Sequence, residues 1–331
     1  MEATRMERTP AAAVLDSLLH GELIGRLQKL QTAASRDRDN AEFNHFLGEV
    51  DAALKRFEDR TYGLCEECHA PIEPERLLAD PLVRFCLGDL TPKQRQALED
   101  DLELAAQIQQ GLLPRAEFEN EAWKVDYVYQ PAGVASGDYV DVIRKDGELH
   151  FVLGDVSGKG MAASLLMSNL HAMFHSMIPL NIPIVELMDR ANRIFCESTL
   201  SNQYATLIYG KVDSRGEVEL SNAGHLPPIV IKNGVKGELS FAGLPLGMFS
   251  DAEFETSKLA LGSGDSLFLF TDGVTETIDA DGLEFGADRL FEALNGGETK
   301  KLISNCLDRV AAFRGDAERR DDLTMLTVAV A

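Results

Sequence analysis

Apolar positions divide the chain into a helical first part and a strand-rich second part. Leu15, Leu18, Leu19, Leu23, Leu27 and Leu30 fall on one helical stripe, and Phe43, Phe46, Leu47, Val50, Leu54 and Phe57 form a second at near-heptad spacing. The polar stretch 35–42 between them predicts an antiparallel helical hairpin. A further helix is expected over 94–113. Its apolar positions Leu98, Leu102, Ala105, Ile108 and Leu112 form one narrow stripe, and Pro114 closes it. Such a stripe suits either pairing with a second copy or packing on its own domain.

After about residue 116 the period changes to two. Strands are predicted at 125–129, at 139–143 and 149–153 around Asp146-Gly147, and at 205–212 and 217–221 around Ser214-Arg215-Gly216. More follow at 229–231 before Asn233-Gly234, at 266–270 and at 324–330. Helices fit at 161–177, 184–199, 287–295 and 300–314. Hairpins outnumber strand–helix–strand units, which predicts antiparallel sheets covered by helices rather than a doubly wound parallel sheet.

Composition narrows the function classes. Thirty-two basic against 54 acidic residues give a formal charge of −22. This opposes binding to a nucleic-acid backbone or an anionic membrane and suits a protein that gathers cations. The uncharged stretch 160–185 contains Pro179 and Pro183 and reads as a buried helix plus a turn, not a membrane span. No signal peptide is recognised, so a cytoplasmic location is expected. Five cysteines, an odd number, argue against a disulfide framework.

Acidic residues recur where strands meet Gly-rich turns. The places are Ser136-Gly137-Asp138-Tyr139, Gly154-Asp155-Val156-Ser157-Gly158-Lys159-Gly160, Thr271-Asp272-Gly273 and Arg320-Asp321-Asp322-Leu323-Thr324. Any single Asp-Gly pair is ordinarily a turn. Four such corners spread over one strand-rich region suit a carboxylate cluster for hard divalent cations.

Together with Asn222-Ala223-Gly224-His225-Leu226-Pro227-Pro228, Leu244-Pro245-Leu246-Gly247 and Phe270-Thr271-Asp272-Gly273-Val274-Thr275-Glu276, these segments resemble the SpoIIE/RsbU-like branch of the metal-dependent protein Ser/Thr phosphatases (the PPM family) over roughly 105–331. The resemblance implies an α+β fold, an αββα sandwich with a binuclear Mn²⁺ or Mg²⁺ site. Asp155 would bridge both ions with help from the Val156 carbonyl. Asp272 and Asp321 would bind the second ion, Asp138 would act through water, and Asp322 stands beside the last ligand. Asp138, Asp155, Asp272 and Asp321 are thereby the expected catalytic residues. The implied reaction is attack on phosphorus by a water whose pKa the two ions lower. Lys159 stands where many relatives carry His and is assigned no catalytic role, and His225 is expected to brace its turn. The resemblance further implies a STAS-type anti-sigma-factor antagonist as substrate and control by the N-terminal region, while the narrow stripe of the linker helix points to a homodimer through that helix.

Cys65-Glu66-Glu67-Cys68 followed by Cys86-Leu87-Gly88-Asp89 has the spacing of a structural zinc site. With Tyr62-Gly63-Leu64 and Pro71-Ile72-Glu73-Pro74 it resembles the DksA/TraR zinc finger, which also follows a coiled coil. Asp89 stands where that family has its fourth cysteine. One Zn²⁺ on Cys65, Cys68, Cys86 and Asp89, a site using His69, or a metal-free remnant are all open. The expected organisation is a hairpin over 1–60, a finger over 61–92, a linker helix over 93–115 and a phosphatase domain over 116–331. The competing function is a DksA-like RNA polymerase-binding regulator that works through the hairpin tip at 36–41.

Overall fold

The computed structural model describes residues 19–21, 23–24, 27, 41–89, 92–114, 117–119, 122–200, 203–241, 243–294 and 299–331. The chain forms two compact units, Met1–Asp101 and Leu102–Ala331. The division falls inside the linker helix, Pro92–Leu112, not at its end.

In the first unit, residues 19–21, 23–24 and 27 are helical and a helix α1 spans Ala41–Glu58. Leu19 and Leu23 are buried with Val50 and Ala53, and Leu27, Leu54 and Phe57 pack around them. This is the hairpin that the two leucine and phenylalanine stripes predict. Its tip at 36–40, and the side chains of Phe43 and Phe46, lie outside the described residues. A short helix α2, Pro74–Ala79, follows. The same core takes in Tyr62, Cys65, Ile72, Leu77 and Cys86, so the cysteine segment and the hairpin share one apolar interior.

The second unit holds two antiparallel sheets. One has the order β1(Glu117–Glu119)-β2(Trp123–Gln130)-β11(Leu323–Val330)-β10(Ser266–Phe270)-β7(Ile229–Lys232)-β8(Val235–Glu238). The other has the order β3(Asp138–Lys145)-β4(Glu148–Val156)-β5(Ala205–Asp213)-β6(Glu217–Ala223)-β9(Ser257–Ala260). Hairpin chemistry sets the registers: Asp146 and Gly147 have φ of 50° and 83°, and Asn233 and Gly234 have 49° and 77°, the left-handed pair that a tight two-residue turn requires.

Alternation along the strands separates three apolar layers. Val140, Leu149, Phe151 and Leu153 meet Leu267, Leu269, Leu326 and Val328 between the sheets. Tyr139, Val152 and Tyr209 point the other way, against helices α4 (Gly160–Met177) and α5 (Ile184–Ser198), which supply Met167, Phe174 and Phe195. Phe268, Phe270 and Met325 pack against the helices on the outer side of their own sheet, with Leu290 of α7 (Gly286–Ala293) and Leu302 of α8 (Thr299–Arg314). The chain enters α7 and α8 after a one-turn helix α6, Asp272–Thr275. The result is the αββα sandwich. Here α3 denotes the linker helix Pro92–Leu112. Among the described residues no helix is long and apolar enough to cross a membrane, and the uncharged stretch becomes α4, a 3-10 turn at Ile178–Leu180 and the start of α5.

The strands β1 and β9 carry no sequence signal, and β8 has only the Asn233-Gly234 turn before it. They are three or four residues long and lie at or next to the sheet margins, so little apolar alternation marks them.

Candidate active site

Asp138 opens β3 and Asp155 lies near the end of β4, and the two are direct register partners. Two residues further into the strands from each stand Val140 and Leu153, both in the layer between the sheets. The period of two therefore turns both carboxylates toward that same gap, at its open end. The facing sheet brings two more corners. The strands β10 and β11 are antiparallel neighbours, so the end of one, Thr271-Asp272, meets the start of the other, Asp321-Asp322. Gly273 makes that approach possible: a Cβ there would lie 1.9 Å from the Asp322 carbonyl oxygen. At Gly137 a Cβ would stand 3.0 Å from the Val156 carbonyl oxygen, which places the Val156 carbonyl against the Asp138 loop.

Hydrogen bonds join the two sheets across the gap. The Thr271 hydroxyl donates to Asp138 Oδ2 at 3.0 Å, and the Thr324 hydroxyl donates to the same oxygen. Asp138 is 1% exposed. Burial raises its carboxyl pKa well above the ordinary range and the Asp155 charge adds to this, while the two hydroxyl donors pull the other way. For Asp155 burial again leads, followed by the charges of Asp272, Asp321 and Asp322, and the value rises to about 7. Asp272 is raised by burial and then by Asp321. Asp138, Asp155 and Asp272 thus feel their acidic neighbours as a cluster, and each is shifted toward its neutral form when no counter-charge is present. Lys159, at the start of α4, donates to Asp321 Oδ2 at 2.8 Å and to the Arg320 carbonyl at 2.8 Å. It is thus a protein cation paired directly with the cluster.

Asp322 differs from the others. Its Oδ1 accepts from Ala132 N at 2.7 Å and its Oδ2 from Gly137 N at 2.9 Å, so it fastens the loop that leads into Asp138. The same loop is gripped from the linker helix. Gln109, 4% exposed, donates to the Ser136 carbonyl at 2.7 Å and accepts from Ser136 N at 3.0 Å. His225 braces the opposite wall. Its Nδ1 meets the Thr206 hydroxyl at 2.8 Å and its Nε2 meets the Phe270 carbonyl at 3.1 Å, just before Thr271. Burial lowers its pKa to about 4, which keeps the ring neutral.

The fold therefore gathers Asp138, Asp155, Asp272, Asp321 and Asp322, with the Val156 carbonyl alongside. Sequence reasoning missed Gln109, Thr271 and Thr324 as supports of the site. Thr271 and Thr324 sit inside the quoted motifs, and that placement was their one available signal. An oxygen-only set of clustered carboxylates suits hard divalent cations, so the residues fit the ions that the resemblance implies.

In the first unit the thiols of Cys65, Cys68 and Cys86 converge, with all ligand atoms within 4.8 Å of one another. Cys68 and Cys86 stand 3.7 Å apart. A tight knuckle shapes the approach: Cys65 N donates to the Ala70 carbonyl at 2.8 Å, His69 N donates to the Cys65 carbonyl at 3.0 Å, and His69 has a φ of 59°. The set fits a thiolate metal such as zinc. The side chain of Asp89, the expected fourth donor, lies outside the described residues.

Comparison with known proteins agrees with this architecture. The family Stage II sporulation protein E (SpoIIE) matches residues 145–331, more than half of the chain. The matched range starts after Asp138, which joins the site through β3. The prokaryotic dksA/traR C4-type zinc finger matches residues 60–88. The chain is 26% identical over 239 residues to Phosphoserine phosphatase RsbU of Bacillus subtilis, covering 71% of each chain. It is 30% identical over 184 residues to Phosphoserine phosphatase RsbP of the same organism, covering 53% of this chain and 45% of the relative. The solved SiaA-PP2C domain of Pseudomonas aeruginosa superposes with a TM-score of 0.60 at 19% identity, over 71% of this chain and 97% of that domain, which shows a shared fold.

Proposed function

The chain belongs to the SpoIIE family, and on that premise we propose that it is a metal-dependent protein serine/threonine phosphatase controlled by its N-terminal unit. One observation carries the reading: Asp138 and Asp155 of one sheet and Asp272 and Asp321 of the other converge at one end of the inter-sheet gap, each raised toward its neutral form or ion-paired in the absence of a divalent cation.

Asp155, Asp272 and Asp321 would hold two Mn²⁺ or Mg²⁺ ions with the Val156 carbonyl, and Asp138 would take part through water. Bound there, the ions would lower the pKa of a water molecule and neutralise phosphoryl oxygens. The protein's own groups prepare that centre. Thr271 and Thr324 orient Asp138 and hold it where its charge is costly without a cation. Asp322 is assigned chiefly to the loop amides it accepts from, and would support the ions from beside Asp321. Lys159 neutralises Asp321 and borders the entrance, since its side chain is 62% exposed.

The substrate class is a phosphoserine or phosphothreonine of a protein, in keeping with the relatives named phosphoserine phosphatases. The resemblance points to a STAS-type anti-sigma-factor antagonist. Control would run along α3, because Gln109 on that helix holds Ser136 of the loop that carries Asp138. Ile108, 60% exposed on the same helix, supports pairing with a second copy. One structural Zn²⁺ on Cys65, Cys68 and Cys86, with Asp89 as the remaining donor, would stabilise the N-terminal unit.

Hydrolysis of p-nitrophenyl phosphate and of a phosphoserine-bearing STAS protein, with Mn²⁺ and with EDTA, tests the reading. Turnover that needs the cation and disappears in Asp155→Ala supports it. Turnover that persists in Asp155→Ala overturns it. So does absence of turnover with both Mn²⁺ and Mg²⁺, each supplied in turn, and tight binding of RNA polymerase in that case would favour the regulator alternative.

A further inference from the structure

A different set of ligand groups lies on the other face of β3. Asp141 is in phase with Tyr139, which packs toward α4, and out of phase with Asp138, which faces the inter-sheet gap. His171 and His175 are one helical turn apart on α4 and so share a face. His175 Nε2 stands 2.7 Å from Asp141 Oδ2, and His171 Nε2 stands 3.9 Å from the same oxygen. The two imidazoles are stacked with centroids 4.0 Å apart. One ligand atom from each of the three residues falls within 4.8 Å of the other two.

The carboxylate is built in. Its side chain is 4% exposed, Val142 N donates to Oδ1 at 2.8 Å, and the Tyr139 hydroxyl donates to Oδ2 at 3.0 Å. From this anchor the site opens outward, through His171 at 17% exposure to His175 at 45%.

We propose that Asp141, His171 and His175 form a binding site for a zinc-class transition metal ion, separate from the aspartate cluster, that clamps α4 to β3. Two imidazoles and one carboxylate select such ions over Mg²⁺. Tetrahedral zinc with bonds of about 2.0–2.1 Å wants its ligand atoms roughly 3.3 Å apart. The observed 2.7 and 3.9 Å straddle that spacing, so small side-chain rotations close the site. Water would complete the coordination on the exposed His175 side. The clamp would act on the helix that begins directly after Asp155 and Lys159.

The test uses the full chain, stripped with a chelator and titrated with Zn²⁺. Zinc bound per chain is counted in wild type and in His171→Gln/His175→Gln, both checked for folding by circular dichroism. Imidazole ¹⁵N resonances of the wild-type protein are followed in parallel. The expected result is one zinc fewer in the double variant and a zinc-dependent shift of both ring signals in wild type. Tyr139→Phe, which loses the hydroxyl that holds the carboxylate, should weaken the site by about 10-fold or more. Equal zinc counts together with unmoved His171 and His175 signals overturn the proposal. If the double variant does not fold, the wild-type ring signals decide alone. The readout is bound zinc and not turnover, so its outcome is independent of the phosphatase reading.

Discussion

Replacing Asp155 by Asn should stabilise the metal-free protein while abolishing its response to Mn²⁺. In the folded, cation-free state the Asp155 carboxyl titrates at about 7, against an ordinary 3.8. Its neutral form is therefore the compatible one. The stability associated with this carboxyl is intact below about pH 4 and is lost as pH rises through about 7. At 1.36 kcal/mol per pH unit the gap corresponds to about 4 kcal/mol at pH 8. Asp155 is partly exposed, and solvent screening reduces this to about 2–4 kcal/mol. Asparagine keeps the shape and has no charge to desolvate, so the variant should gain about that amount at pH 8 in chelator and almost nothing near pH 4.

Urea unfolding followed by tryptophan fluorescence reads this directly. The single tryptophan, Trp123, is 3% exposed in β2 of the second unit, and so reports on the unit that carries the site. Adding Mn²⁺ should raise the midpoint for wild type and leave the variant unmoved. A variant equal to or less stable than wild type at pH 8 in chelator would refute the reasoning, because the carboxylates would then not be waiting for a counter-charge.

Other consequences follow from the same geometry. Gln109→Ala leaves the amide and carbonyl of the fully buried Ser136 without partners, at about 1–3 kcal/mol for each group. Turnover should change by 10-fold or more while the far-UV spectrum holds, and an unchanged kcat/KM would remove Gln109 from the coupling. Cys68→Ser should release the zinc of the first unit and speed proteolysis of residues 41–89. Equal zinc content and equal cleavage in variant and wild type would dismiss the metal there. Ile108→Asp places a charge on an exposed apolar position of α3 and should shift sedimentation from dimer to monomer, and a monomeric wild type would end that reading.

Most of the architecture was legible because it is local. The turn pair Asp146-Gly147 announced its hairpin, Asn233-Gly234 marked the end of β7, and the uncharged stretch 160–185 with Pro179 and Pro183 announced α4 and the turn after it. The aspartates were legible through the motif resemblance, since nothing near Asp155 in sequence says that Asp272 and Asp321 lie close to it. What supports them was not legible. Thr271 and Thr324 reach Asp138 from 133 and 186 residues away, and only the closing of the two sheets brings them there. The grip of Gln109 on Ser136 is hidden in the same way, because one buried glutamine among Ala105, Ala106, Leu112 and Leu113 has no pattern of its own. His171 and His175 did carry a signal in their helical spacing, but their partner Asp141 becomes apparent only when α4 lies across β3.

The central claim is that the fold assembles Asp155, Asp272 and Asp321 around a pair of divalent cations. Anomalous diffraction at the manganese edge, from crystals grown with Mn²⁺, addresses it most directly. Two peaks flanking the Asp155 carboxylate, with Asp272 and Asp321 in contact with one of them, are predicted. A protein that hydrolyses phosphoserine while its crystals show no manganese at these three carboxylates would contradict the account.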